Sequence, residues 1–180
     1  MFLNDDQIIA EDFLEGAFRA HRNNPLAVVH PLATSCETGQ VIPLECGAHF
    51  DEKRLKFIPW DQKTEPDFLS TRGTILTVKE SKSIGLFRAR ALPHYGTDYE
   101  WSFRAKSKGY KLHISPEFQV GVMEKASGLR MGHQKSVLQK IRTLFSLRYA
   151  GNPVRLALLV FYISKFPYSF FNPLLVVGRI

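Results

Sequence analysis

The stretch His94-Tyr95-Gly96-Thr97-Asp98-Tyr99-Glu100-Trp101-Ser102-Phe103-Arg104-Ala105-Lys106-Ser107-Lys108-Gly109-Tyr110 decides how this chain is read. Thr97 followed three residues later by Glu100 has the spacing of a capping box, in which hydroxyl and carboxylate satisfy the free N–H groups of a helix start. Gly109 suits the position just past a helix end. The spacing therefore predicts a helix over Asp98–Lys108 and a following strand over Lys111–Ile114. Glu100 and Arg104 stand four apart with the acid first, the favoured order for an ion pair on a helix face. Asp98 falls in the first turn, where the helix dipole favours a carboxylate. A carboxylate there, beside the Tyr95-Gly96 loop, also has the chemistry to take a proton from an attacking hydroxyl if it faces a cleft. The residues alone support both readings of Asp98.

Upstream, Phe2–Asn4 reads as the end of a buried strand running into the acidic turn Asn4-Asp5-Asp6. Phe13, Leu14, Ala17 and Phe18 have helical spacing, which predicts an amphipathic helix over Ala10–His21, ended by Asn23-Asn24-Pro25. Leu26–His30 and Thr74–Val78 read as strands, and Val78–Gly85 as a short helix. Between them, residues 31–67 are rich in Pro and Gly and read as loops and edge strands, with β-like pieces at Val41–Leu44 and Leu55–Ile58. Strands alternating with helices predict an α/β domain. Carboxylates at the carboxyl end of a strand, as Asp5 and Asp6 are, lie where open α/β sheets bind ligands and suit a hard divalent cation; they also suit a plain polar turn.

With 180 residues, 44% of them hydrophobic, the chain can bury one real core but not two large ones. Its charge is split. Residues 101–180 hold thirteen Lys+Arg against two acids, a net +11, while residues 1–100 hold eleven against fifteen, a net −4. Such asymmetry points to an anionic partner for the second half. Long apolar runs between the basic residues and the lack of a nucleic-acid-binding motif exclude a nucleic-acid role. Cys36 and Cys46 form no C-x-x-C pair and read as two buried free thiols. His21, His30, His49 and His113 read as ordinary helix or strand histidines, and no Ser/His/Asp or Cys/His arrangement is visible.

Ser136–Ala150 reads as a basic amphipathic helix, broken by Gly151-Asn152-Pro153; Val154–Ile163 and Tyr168–Val177 are strongly apolar. Lys165, Pro167 and Pro173 interrupt the run of about 20 apolar residues that a spanning helix needs. A basic helix followed by an aromatic-rich apolar tail suits peripheral contact with an anionic bilayer, or packing back on the domain. The expected division is a domain over 1–135 and a basic, apolar tail over 136–180.

The order of these segments resembles bacterial family 2 glycosyltransferases from Phe2 to about Tyr149, and Tyr95–Leu112 matches that family's G-x-D-x-[DE]-x-x-x-R-x-x-x-x-G-Y pattern at every fixed position. The resemblance implies a GT-A type α/β fold with inverting transfer of a sugar from a nucleotide-sugar donor to a saccharide or lipid-linked acceptor hydroxyl, in cell-surface polysaccharide or glycolipid synthesis. It implies a cytoplasmic enzyme at the inner face of the membrane. Asp98 matches the catalytic base. Asn4-Asp5-Asp6 is similar to the DXD-type motif, with Asn4 in place of the first Asp, Asp6 as main ligand of Mg²⁺ or Mn²⁺ and Asp5 near the donor. Arg72-Gly73-Thr74 matches the loop bordering the sugar pocket, with His94 and Trp101 on the acceptor side. Thr97, Glu100 and Arg104 keep structural roles. Gln119-Val120-Gly121-Val122 has no counterpart of the family's metal-binding His, and the family's nucleotide-binding strand–helix units would precede Phe2, so the resemblance implies an incomplete GT-A fold, the C-terminal portion of the family's domain, with a helical apolar tail. The alternative is a non-catalytic remnant, or a module that works with a partner chain.

Overall fold

The computed structural model describes residues 1–93, 95–123, 136–146, 149, 151–164 and 168–177. It is a mixed α/β structure with two three-stranded sheets. In the first, β6 (Lys111–Val122) lies between β1 (Gln7–Ile9), antiparallel to it, and β2 (Ala27–Ser35), parallel to it. The second is antiparallel, with β3 (Gly47–Asp51) between β4 (Lys56–Pro59) and β5 (Phe68–Leu69).

The β2 strand is buried along most of its length, as its apolar Ala-Val-Val run demands. Its partner β6 is three times longer than the four residues Lys111–Ile114 expected from sequence. Pro116 hid the extension: Pro ordinarily ends a ladder, but the pairing jumps here from Pro31↔Ser115 to Leu32↔Gln119 and resumes. Helix α1 (Phe13–Asn23) covers this sheet through Phe13, Gly16, Ala17 and Ala20, while Leu14 and Phe18 face outward. Gly16 allows the close approach, since a Cβ there would sit 2.5 Å from the Glu117 carbonyl oxygen. Thr74–Val78 is not a full strand: Ile75 bridges Val29, and the Thr74 carbonyl accepts from Phe2 N–H. Val41 makes a single bridge to Thr34, and Pro43–Cys46 forms one helical turn, α2.

Thr77 caps α3 (Val78–Ile84) with a true capping box: its hydroxyl accepts from Glu80 N–H, and the Glu80 carboxylate accepts from Thr77 N–H. The box expected at Thr97 and Glu100 does not form. Helix α4 (Thr97–Ser107) starts from Gly96 in the left-handed region (φ 82°), Thr97 Oγ1 donates to the Leu92 carbonyl, and Glu100 turns to cations instead. Gly109 ends the helix at φ 88°, as expected. Cys46 is buried, but Cys36 is exposed, contrary to the reading of two buried thiols.

Three helices follow: α5 (Val137–Leu144), α6 (Pro153–Ile163) and α7 (Tyr168–Val177). Asn152 caps α6 by accepting from Val154 and Arg155 N–H. Helix α6 packs back on the rest of the chain, with Leu159 and Ile163 in a cluster with Ala48, Phe68 and Leu92. No helix among the described residues is long and apolar enough to cross a membrane.

Candidate functional site

The start of α4, the Ser70–Arg72 loop, the N-terminal segment and α6 enclose a cavity of about 960 Å³. Its polar lining includes Asn4, Glu45, Ser70, Arg72 and Asp98; Phe57, Phe87, Tyr99 and Leu159 supply apolar walls. Asp98 is half-buried. Burial is the main reason its carboxyl is pushed up to about 6; the Tyr99 N–H bond at 3.0 Å and the charge of Arg72 oppose that rise, and Glu45 adds to it. Among the described residues no cation pairs directly with Asp98, so its carboxylate keeps lone pairs for a ligand. A carboxylate poised near neutrality in a cleft is what proton abstraction from a hydroxyl requires.

Gly96 sets this geometry. Its positive φ turns the chain into α4, and its missing side chain lets Leu159 approach: a Cβ would sit 3.0 Å from Leu159 Cδ2. The other end of Asp98's turn is anchored by Ser102 Oγ, which lies 2.6 Å from the Asp98 carbonyl and 3.0 Å from that of Leu69.

Arg72 is a buried cation held between two carboxylates, with Nη1 2.5 Å from Asp6 Oδ1 and Nε 2.7 Å from Glu45 Oε2. Burial alone would weaken its charge, but the bonds to Asp6 and Glu45 outweigh burial and hold it protonated. Asp6, assigned by resemblance to a divalent cation, is thus occupied by a guanidinium. Asp5 is exposed, and no group of three His, Cys, Asp or Glu side chains converges among the described residues. The Asn4–Asp6 turn in this geometry suits Arg72 better than a metal ion.

The remaining expected residues fall into different places. Gly73 and Thr74 clasp the N-terminal segment, exchanging backbone bonds with Phe2 at 2.9 and 2.8 Å, and do not line the cavity. Trp101 is a core residue: its Nε1 donates to the Gly85 carbonyl at 2.8 Å and its ring packs edge-on to Phe2. Asn4 lines the cavity, and His94 lies outside the described residues. Glu100, almost fully buried, takes Arg104 in a bidentate pair at 3.0 and 2.9 Å and Arg88 at 3.0 Å.

Glu45 and Ser70 were not foreseen. The Ser70 hydroxyl sits between His30 Nε2 (2.8 Å) and the Glu45 carbonyl (2.6 Å), and His30 Nδ1 lies 2.6 Å from the Pro31 carbonyl. Burial lowers His30 to about 4, so it is neutral and fully satisfied, a brace for the Arg72 loop. His30 is the ordinary strand histidine its segment predicts, whereas no local pattern marks Glu45 or Ser70. No protein-family model matches the chain, and no curated protein matches its sequence.

Proposed function

We propose that this chain is the C-terminal, acceptor-side part of a GT-A type glycosyltransferase of the family 2 kind, with Asp98 as the base for inverting sugar transfer. The observation that carries the reading is Asp98 itself: a half-buried carboxylate with its pKa raised to about 6, free of a direct cation partner among the described residues and open to a 960 Å³ cavity. In the reaction Asp98 accepts the proton of the acceptor hydroxyl as that oxygen bonds to the anomeric carbon. The bond from this carbon to the nucleoside diphosphate breaks on the opposite face, and the leaving group carries away the electron pair. Phe57 and Tyr99 offer aromatic surface for a sugar ring, and Asn4 offers a polar contact for its hydroxyls. Arg72, paired with Asp6 and Glu45, fixes the loop that borders the cavity.

The test is transfer from a panel of labelled nucleotide-sugars to saccharide and lipid-linked acceptors, comparing the chain with its Asp98→Asn form. Transfer that Asp98→Asn lowers at least about 100-fold is the expected result, within the range that general-base groups contribute. Transfer unaffected by Asp98→Asn, or neither transfer nor donor binding by the chain, contradicts the reading.

A further inference from the structure

A second cavity, of about 450 Å³, lies where the segment joining β4 to β5 meets the beginnings of β2 and β6. It shares no lining residue with the Asp98 cavity. Trp60 forms part of its wall. The indole Nε1 donates to the Thr64 carbonyl at 2.7 Å, and Asp61 Oδ1 closes the turn between them by accepting from Lys63 and Thr64 N–H at 2.9 Å each. The ring is thus set in place before a ligand arrives, and with its one donor spent it offers only apolar surface. Lys63 and Lys111 are exposed and line the same cavity, and among the described residues neither ammonium has a hydrogen bond or an ion pair. Glu65 is the one carboxylate of the lining, and its Oε1 is engaged by Leu112 N–H at 3.2 Å. Burial pushes His113 down, so its ring is neutral and brings one donor and one acceptor. Asn24 commits its amide nitrogen to the Ala20 carbonyl at 2.8 Å and keeps its amide oxygen for a ligand.

We propose that this cavity binds a small sugar bearing a phosphate or a carboxylate, its anionic group held by Lys63 and Lys111, its ring against Trp60 and its hydroxyls at Asn24 and His113. The volume is that of a site for a small molecule. A bare inorganic anion would leave the Trp60 wall uncovered, and a neutral sugar would leave both ammonium groups unanswered. Ammonium groups on flexible stems serve phosphate and carboxylate alike. Trp60 and Lys63 belong to the connection within the second sheet and Lys111 and His113 to the first, so a bound ligand ties the two sheets together and stabilises the fold. The site stands apart from the Asp98 cavity and does not rest on the reading of Asp98.

The test is fluorescence titration of the full chain with glucose 6-phosphate and with glucuronate, with glucose and inorganic phosphate as controls. Of the two tryptophans, Trp60 is half-buried at the cavity and Trp101 is buried in the core, so the signal arises at Trp60. A saturable change is expected with at least one sugar anion, about tenfold or more tighter than with either control, together with a rise in Tm. The tighter of the two anions identifies phosphate or carboxylate as the group recognised. Lys63→Gln/Lys111→Gln, both sites being exposed, keeps its circular-dichroism spectrum and binds about tenfold or more weakly, the effect of losing charge-assisted bonds. Trp60→Phe removes the fluorescence change, and Asp98→Asn binds as wild type does. No saturable change with either sugar anion, or glucose or inorganic phosphate bound as tightly, overturns the proposal. So does wild-type affinity in the double lysine variant, a fluorescence change that survives Trp60→Phe, or loss of binding in Asp98→Asn, which would put the ligand in the other cavity.

Discussion

Asp98 carries a cost at neutral pH. Its carboxyl ionises near 3.8 in an unfolded chain and near 6 in the native cavity, chiefly because of burial. The native state therefore binds the proton first as pH falls, and stability rises as pH drops from above 6 toward 4. Asp98→Asn should stabilise the protein by on the order of 1–2 kcal/mol at pH 7–8, allowing for solvent screening at a half-buried site, with the gain fading as pH falls from about 6 to about 4. Chemical denaturation of both forms across that range checks this, and a pH-independent difference would contradict it. Glu100 shows the opposite arrangement. Buried and bound to Arg104 and Arg88, its replacement by Ala leaves two cations unanswered and should cost about 3 kcal/mol in the same assay. The Glu100–Arg104 pair was legible from its four-residue spacing. The partners of Arg72 were not, because Asp6 and Glu45 lie 66 and 27 residues away in sequence.

Among the elements, local signals worked where the cause is local. Gly109 marked the end of α4 and Asn23-Asn24-Pro25 the end of α1, whereas Gly151-Asn152-Pro153, read as a break, also caps α6. They misled where two local solutions compete. Thr97 and Glu100 match a capping box by spacing, but the left-handed Gly96 already turns the chain, and Glu100 finds two arginines. Thr77 and Glu80 form the box that actually operates. Thr77→Ala should lower stability by about 1 kcal/mol, whereas Thr97 loses a bond to Leu92 and no cap when replaced. Gly96→Ala should cost more than about 1 kcal/mol, since a Cβ there both opposes the positive φ and crowds Leu159. Thermal denaturation of the three variants separates these cases. The length of β6 escaped sequence reading because the register jump opposite Pro116 is a property of the pair of strands and not of either one.

In the whole molecule, the cavity is assembled from segments that are distant in sequence, and α6 is the least expected of them. Its apolar run was legible as a tail with two alternative fates, on a bilayer or on the domain. The structure packs α6 on the domain through Leu159 and Ile163 and leaves Phe161 exposed. Ile163→Ala, fully buried and away from the cavity lining, should lower stability by about 2–4 kcal/mol, which calorimetry of the full chain would register. The α/β character was legible from alternating patterns. Of the second, antiparallel sheet only β4 was legible, as the β-like piece Leu55–Ile58; β3 and β5 are five and two residues long and lie among Pro and Gly. The assignment of Asp98 as base is tested most directly by the pH dependence of sugar transfer in wild type and Asp98→Asn. The account predicts a wild-type rate that rises through an ionisation near pH 6 as the carboxylate forms, and a variant at least about 100-fold slower across the range. An Asp98→Asn protein that transfers sugar at the wild-type rate with the same pH profile would contradict it.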